Sequence, residues 1–167
     1  MTATIEGSVP PSVVVVKPWR DPLVEGCGFP VSSAYVETAW LPILGPSATL
    51  ALRRLGLLAM ERPDGFEVDL AELAGDLGLG KAIGNSSVVV RTLRRLETFG
   101  MAHWRGEVLE VRTAVAPLPA RHADRLSPAV AAMHRQMVRV RAGSAGHVAA
   151  GVGTAGPSLE RSRGLRR

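Results

Sequence analysis

This chain of 167 residues has a single cysteine, Cys27, so no internal disulfide can form and no thiolate cluster can hold a metal. A reduced, cytoplasmic protein is the expectation. No stretch approaches the ~20 apolar residues that span a bilayer, and the first residues lack the basic-then-apolar order of a secretory signal. Catalytic signatures are missing as well. His103, His122, His134 and His147 stand at spacings that suit no metal motif. There is no GxSxG elbow. The glycine-rich Gly78–Gly84 segment follows a helical pattern instead of a strand and lacks the Lys-Ser/Thr ending of a phosphate cradle. No general base can be assigned to Cys27 as a nucleophile. Asp69, Glu72 and Asp76 share one face of a short helix, where a solvated surface outweighs a divalent-ion site. These absences point away from an enzyme, and from any metal or cofactor.

Lysine is scarce too: Lys17 and Lys81 are the only two, so arginine carries nearly all the positive charge. The formal net charge is +5, but it is unevenly spread. Residues 141–167 hold five arginines and one glutamate, and residues 30–80 are acidic, with seven carboxylates against Arg53, Arg54 and Arg62. Residues 81–112 hold six basic and three acidic side chains. Composition by itself therefore says little, whereas its distribution places positive charge on one internal block and on the C-terminal tail.

That internal block belongs to the most informative part of the chain, Val68–Arg112. It reads VDLAELAGDLGLG, then NSSVVVRTLRRLETFG, then MAHWRGEVLEVR. Asp69 can cap a first helix whose apolar stripe is Leu70, Leu73, Ala74 and Leu77. At about 100° per residue, a second helix over Asn85–Phe99 places Val89, Thr92, Leu93 and Leu96 on one side. Ser87, Arg91, Arg94 and Thr98 fall on the other, with Arg95 at the flank. Asn85 is a suitable N-cap and Gly100 a natural stop. Met101–Arg105 and Val108–Arg112 alternate as strands around Gly106, where a tight turn needs positive φ, and His103 and Trp104 then point to opposite faces. An arginine-bearing helix braced by another helix and followed by a hairpin fits a DNA groove, because guanidinium groups neutralise phosphates and pair bidentately with guanine.

LAELAGDLGLG followed by VVVRTLRRLETFGMAHWR resembles the pattern of bacterial winged helix-turn-helix DNA-binding proteins, broadly MarR-like, and the wider stretch Tyr35–Val138 is similar to actinobacterial proteins of this type. The resemblance implies a mainly α fold with a small β-hairpin, a winged helix-turn-helix. It also implies sequence-specific double-stranded DNA binding by a transcriptional regulator. Asn85–Arg95 would be the recognition helix and Arg105–Glu107 the wing tip. The candidate DNA contacts are Lys81, Asn85, Ser86, Ser87, Val90, Arg91, Arg94, Arg95 and Arg105. Two features depart from the pattern: Gly80–Gly84 lengthens the turn, and the Asp69, Glu72, Asp76 face would repel phosphates. The alternative is a protein–protein interaction module on the same scaffold without strong DNA binding, drawing on that acidic helix and on an exposed Trp104. A ligand-responsive pocket lined by Trp40, Met60, Met101 and Met133 is a weaker reading than ordinary core packing.

The flanks complete the expectation. Residues 1–31 read as a poorly ordered N-terminal arm, with one extended segment at Val13–Val16. The compact domain spans 32–140. Ser32–Leu44 reads as a helix ended or kinked by Pro42, a long core helix runs from Ser47 to about Glu61, and Phe66–Val68 reads as a strand pairing with the hairpin. Ser127-Pro128 starts a last helix, whose stripe Val130, Met133, Met137 and Val140 serves either its own core or a homodimer. Residues 141–167 read as a disordered basic tail.

Overall fold

The structure, a computed structural model, describes residues 11–80, 82 and 84–150. Lys81 of the candidate contact set, and residues 151–167 of the expected tail, lie outside the described residues.

The valine run near the N-terminus is the centre of a sheet. Strand β1 (Val13–Trp19) alternates its side chains, so Val14 and Val16 enter the core while Val13 stays exposed. On one edge it pairs antiparallel with β3 (Phe66–Asp69). On the other it pairs parallel with β5 (Val108–Arg112), which pairs antiparallel with β4 (Ala102–Arg105). The order is β3-β1-β5-β4. This corrects two expectations. Residues 13–31 are not a poorly ordered arm, and β3 does not pair with the hairpin, because β1 lies between them. A continuous apolar run gains most where both edges are hydrogen-bonded and one face is packed. Pro18 fits because pairing with β3 ends at Val16, leaving only one edge of the strand bonded there. The fold is therefore mixed α/β, with a four-stranded sheet where a hairpin joined by the Phe66–Val68 strand was expected.

Beyond β1, Asp21 caps α1 (Pro22–Cys27) by accepting the N–H of Val24, and β2 (Phe29–Pro30) pairs with β6 (Ala114–Val115). A π-helical turn over Val36–Trp40 then leads into α2 (Leu41–Leu44). Pro42 explains the widened turn, since it lacks an N–H and its ring crowds the carbonyl four residues back. The long helix α3 (Pro46–Glu61) buries Ala48, Ala51, Leu52, Leu55 and Ala59. At Gly56 a Cβ would stand 2.8 Å from the Arg112 carbonyl oxygen and 2.9 Å from a Val31 methyl, so the helix crosses at a distance only glycine permits. Helix α4 (Leu70–Asp76) is capped by Asp69, which accepts N–H groups of Ala71 and Glu72 at 2.8 and 2.9 Å. Helix α5 (Val88–Thr98) packs on α3 and α4 and leads through Gly100 into the β4–β5 hairpin, where Gly106 takes φ 61°.

Arg112, on β5, ties three of these elements together. Its guanidinium lies 3.8 Å over the Trp19 ring, donates to Asp21 at 3.0 Å and reaches the Gly100 carbonyl at 2.7 Å. The Arg112 hydrogen bond holds the Asp21 carboxyl below its ordinary value, helped by the N–H of Val24.

After α6 (Ala120–Ala123), α7 runs Pro128–Ala150, starting as expected at Pro128 but continuing past Val140. Residues 141–150 are thus helical, a correction to the tail. Arg141 contributes by donating to the Gly28 carbonyl at 2.9 Å, which ties this part of the helix to the body. The expected stripe divides: Val130 and Met137 are half-buried, whereas Met133 and Val140 face solvent. No helix among the described residues is long and apolar enough to cross a membrane.

Candidate nucleic-acid interface

Helix α5 is strongly two-faced. Val89, Val90, Leu93 and Leu96 are buried with Thr92, while Val88, Arg91, Arg94, Arg95, Glu97 and Thr98 are exposed. Its cap is Ser87, whose hydroxyl accepts the N–H of Val90 at 3.4 Å, and not Asn85. The chain before the helix turns at Gly84, with Ser87 N–H bonded to the Gly84 carbonyl, so the first helical turn starts later than the sequence pattern indicates.

This geometry sorts the candidate contacts. Arg91 is exposed and makes no hydrogen bond or ion pair with a described residue. Arg94 is exposed and donates to Asn85 Oδ1 at 3.1 Å, a neutral partner that leaves its charge uncompensated. Asn85 and Ser86 are exposed beside it. Ser87 and Val90 are corrected: the first is buried as the cap and the second is 2% exposed on the core face, so neither meets a groove. Arg95 is exposed too, but its guanidinium is already engaged. Its guanidinium turns back to the end of α2, donating to the Leu44 carbonyl and, at 2.6 Å, to that of Ile43, and it lies over the Phe99 ring. A helix C-terminus presents unsatisfied carbonyls and a partial negative charge, and that draws the guanidinium across the surface to α2.

At the hairpin tip, Arg105 is 75% exposed and pairs with Glu110 at 3.4 Å. Glu110 also meets His103 Nε2 at 3.0 Å. The two-residue turn at Gly106 places His103 opposite Glu110, so this partnership follows from the register and could have been read from it. His103 and Trp104 do point to opposite faces: Trp104 is half-buried against the core. It is therefore not the exposed anchor that a protein-interaction reading requires.

The acidic face of α4 is largely occupied. Asp69 is spent on the helix cap and Asp76 is ion-paired with Arg54 of α3, which leaves Glu72 exposed. The four residues considered for a ligand pocket separate: Met60 and Met133 are about half exposed, while Trp40 and Met101 lie in the core.

Comparison with protein-family models, curated proteins and solved structures gives no match.

Chemically, the exposed face of α5 offers the Arg91 and Arg94 guanidinium groups beside the Glu97 carboxylate, and the turn before it adds the Asn85 amide and the Ser86 hydroxyl. Among the described residues no cluster of His, Cys, Asp or Glu could hold a metal ion. The sequence reading missed one further feature, a groove between α5 and the start of α3 that includes Thr92, Ser47 and Ala48. Its walls come from segments more than forty positions apart, and no local pattern announces it.

Proposed function

We propose that this protein binds double-stranded DNA in a sequence-specific manner, as a transcriptional regulator, with α5 as the recognition helix of a winged helix-turn-helix. The observation that carries this reading is the pair Arg91 and Arg94. Both project from the exposed face of α5, and neither has a carboxylate partner among the described residues. The element order α3–β3–α4–α5–β4–β5 supports it, since a helix braced by a shorter one and trailed by a hairpin is the arrangement that presents a helix to the major groove. Strand β1, inserted between β3 and β5, is a departure from that arrangement.

Electrostatics supports the reading further. The repulsion expected from α4 is reduced, because Asp76 is paired with the Arg54 cation and the Asp69 carboxylate accepts two backbone N–H groups at the helix start. Arg105 can leave Glu110 at little cost, as exposed ion pairs contribute about 0–1 kcal/mol. It can then reach a phosphate from the hairpin tip.

Selection of bound sequences from a random duplex pool, followed by titration of the selected site between 50 and 200 mM salt, tests this. Contacts from Arg91, Arg94 and Arg105 to about three phosphates give a log–log slope near −2.7. An unenriched pool, with no duplex binding at about 150 mM salt, would remove the reading.

A further inference from the structure

We propose that the groove between the start of α3 and the face of α5 is a binding site for a phosphate group. The two helices flank an open groove of about 250 Å³, in which apolar surface from Leu44, Pro46 and Val88 surrounds donors on Ser47, Ala48, Arg91 and Thr92.

The start of α3 supplies the first half. Sixteen residues of helix begin at Pro46 with Gly45 as the cap residue, which has no side chain to satisfy the first turn. Pro46 has no N–H, and the N–H of Thr49 returns to the Gly45 carbonyl at 3.0 Å. The N–H groups of Ser47 and Ala48 have no acceptor among the described residues. Uncapped N–H groups at the positive end of a long helix favour an anion.

Thr92 supplies an independent indication from the opposite wall. It is 5% exposed, lines this groove, and its hydroxyl makes no hydrogen bond to a described residue. The residue is buried but its oxygen still opens to the groove, so the hydroxyl can donate to an acceptor oxygen held there. Beside it, the exposed Arg91 guanidinium is also unpartnered among the described residues.

The remaining features select the sign and shape of the ligand. No carboxylate lines the groove. The Ile43 and Leu44 carbonyls at the end of α2, which would repel an anion, are covered by Arg95. The ligand is therefore an acceptor with several oxygens and negative charge. A phosphate group meets N–H, O–H and guanidinium donors together, and charge-assisted bonds of this kind are the stronger ones. The volume exceeds that of a phosphate alone, which leaves space for the sugar or alcohol that carries it. That carrier is either a strand of duplex DNA or a free phosphomonoester.

Inorganic phosphate, glycerol phosphate and a short duplex, each titrated into the full chain at low salt, test this through the backbone amide resonances of Ser47, Ala48 and Thr92. Saturable shifts at these three amides with inorganic phosphate are expected, absent with equal chloride. Arg91→Gln should weaken phosphate at least about fivefold, as loss of a charge-assisted contact requires. Thr92→Val should weaken it less, and Arg139→Gln, on the exposed side of α7, should leave it unchanged. Linear shifts, equal response to chloride, or indifference to Arg91→Gln in a chain that still melts cooperatively would overturn the site. If the natural carrier is DNA, phosphate competes with duplex and Arg91→Gln lowers the salt slope by about one. If it is a free phosphomonoester, glycerol phosphate binds more tightly than inorganic phosphate and duplex does not compete. Phosphate binding without duplex binding keeps this site and removes the DNA reading; duplex binding without a phosphate response does the reverse.

Discussion

The hydroxyl of Tyr35 stands 2.8 Å from Nδ1 of His134, joining the body of the fold to α7 across 99 positions of sequence. The same oxygen accepts the N–H of Leu118 at 2.8 Å, so its one proton is free to be donated to His134. Nδ1 is therefore the unprotonated nitrogen, a tautomer assigned from the network. Tyr35 is fully buried and stacks on Phe29 at 3.7 Å, and burial pushes its hydroxyl above the ordinary value of 10.0. Burial, and then the neighbouring Arg135, hold His134 below its ordinary 6.5.

Acidification should therefore loosen α7. His134 has a folded pKa below its unfolded value, so its contribution is complete above about 6.5 and is lost as pH falls through the lowered folded value. Below that point Nδ1 carries a proton and cannot accept from Tyr35. Hydrogen exchange of the α7 amides, corrected for intrinsic rates, should show greater opening at pH 5 than at pH 7.5. His134→Leu should abolish the difference; an unchanged pH dependence in that variant would assign the effect elsewhere.

The arginines of α5 should divide by role. Arg95→Ala removes the donors to the Ile43 and Leu44 carbonyls and should cost about 1 kcal/mol of stability, since the side chain is exposed and water can replace it. Arg91→Ala touches no internal partner and should stay within about 0.5 kcal/mol. Urea denaturation reads both. On a selected duplex the order should reverse, with Arg91→Ala and Arg94→Ala each weakening binding by about 1–3 kcal/mol where the contact is to a base.

Arg112→Lys should not be conservative. The planar guanidinium serves Trp19, Asp21 and Gly100 together, and an ammonium cannot reproduce that fork and stacking. A loss of about 2 kcal/mol is expected, since the side chain is mostly buried and its partners would be left unsatisfied. Thermal melts that match the parent would refute this role.

Removing residues 1–19 deletes β1 and leaves β3 and β5 without the strand that pairs with both. The truncated chain should lose its cooperative thermal transition. A trimmed protein that still melts sharply would mean that the sheet can close without this strand.

The parts legible in advance are those governed by neighbours along the chain. Asp69 caps α4 because its carboxylate reaches N–H groups two and three residues on. The hairpin follows from Gly106 between two alternating segments, and the buried side of α5 from a 3.6-residue period. Ser87 displaced Asn85 as the cap by two positions, a small local error with a large effect: it moved Ser87 out of the contact set. Arg91 and Arg94 lie on the exposed face that the periodicity assigned. Arg95, only 40° around the helix from Arg91 by the same geometry and exposed like it, has its guanidinium engaged by carbonyls some fifty residues away in sequence.

Local chemistry thus determined where helices start, where the hairpin turns and which side of α5 is apolar, because capping, turn formation and side-chain period act over a few residues. Only the tertiary structure decided that the valine run is the sheet's central strand, that Arg95 serves α2, and that Thr92 faces the uncapped start of α3. Those outcomes depend on which distant donors and acceptors meet once the chain is compact. A backbone or guanidinium group takes whichever partner is closest in space, and its position in the sequence does not reveal that partner.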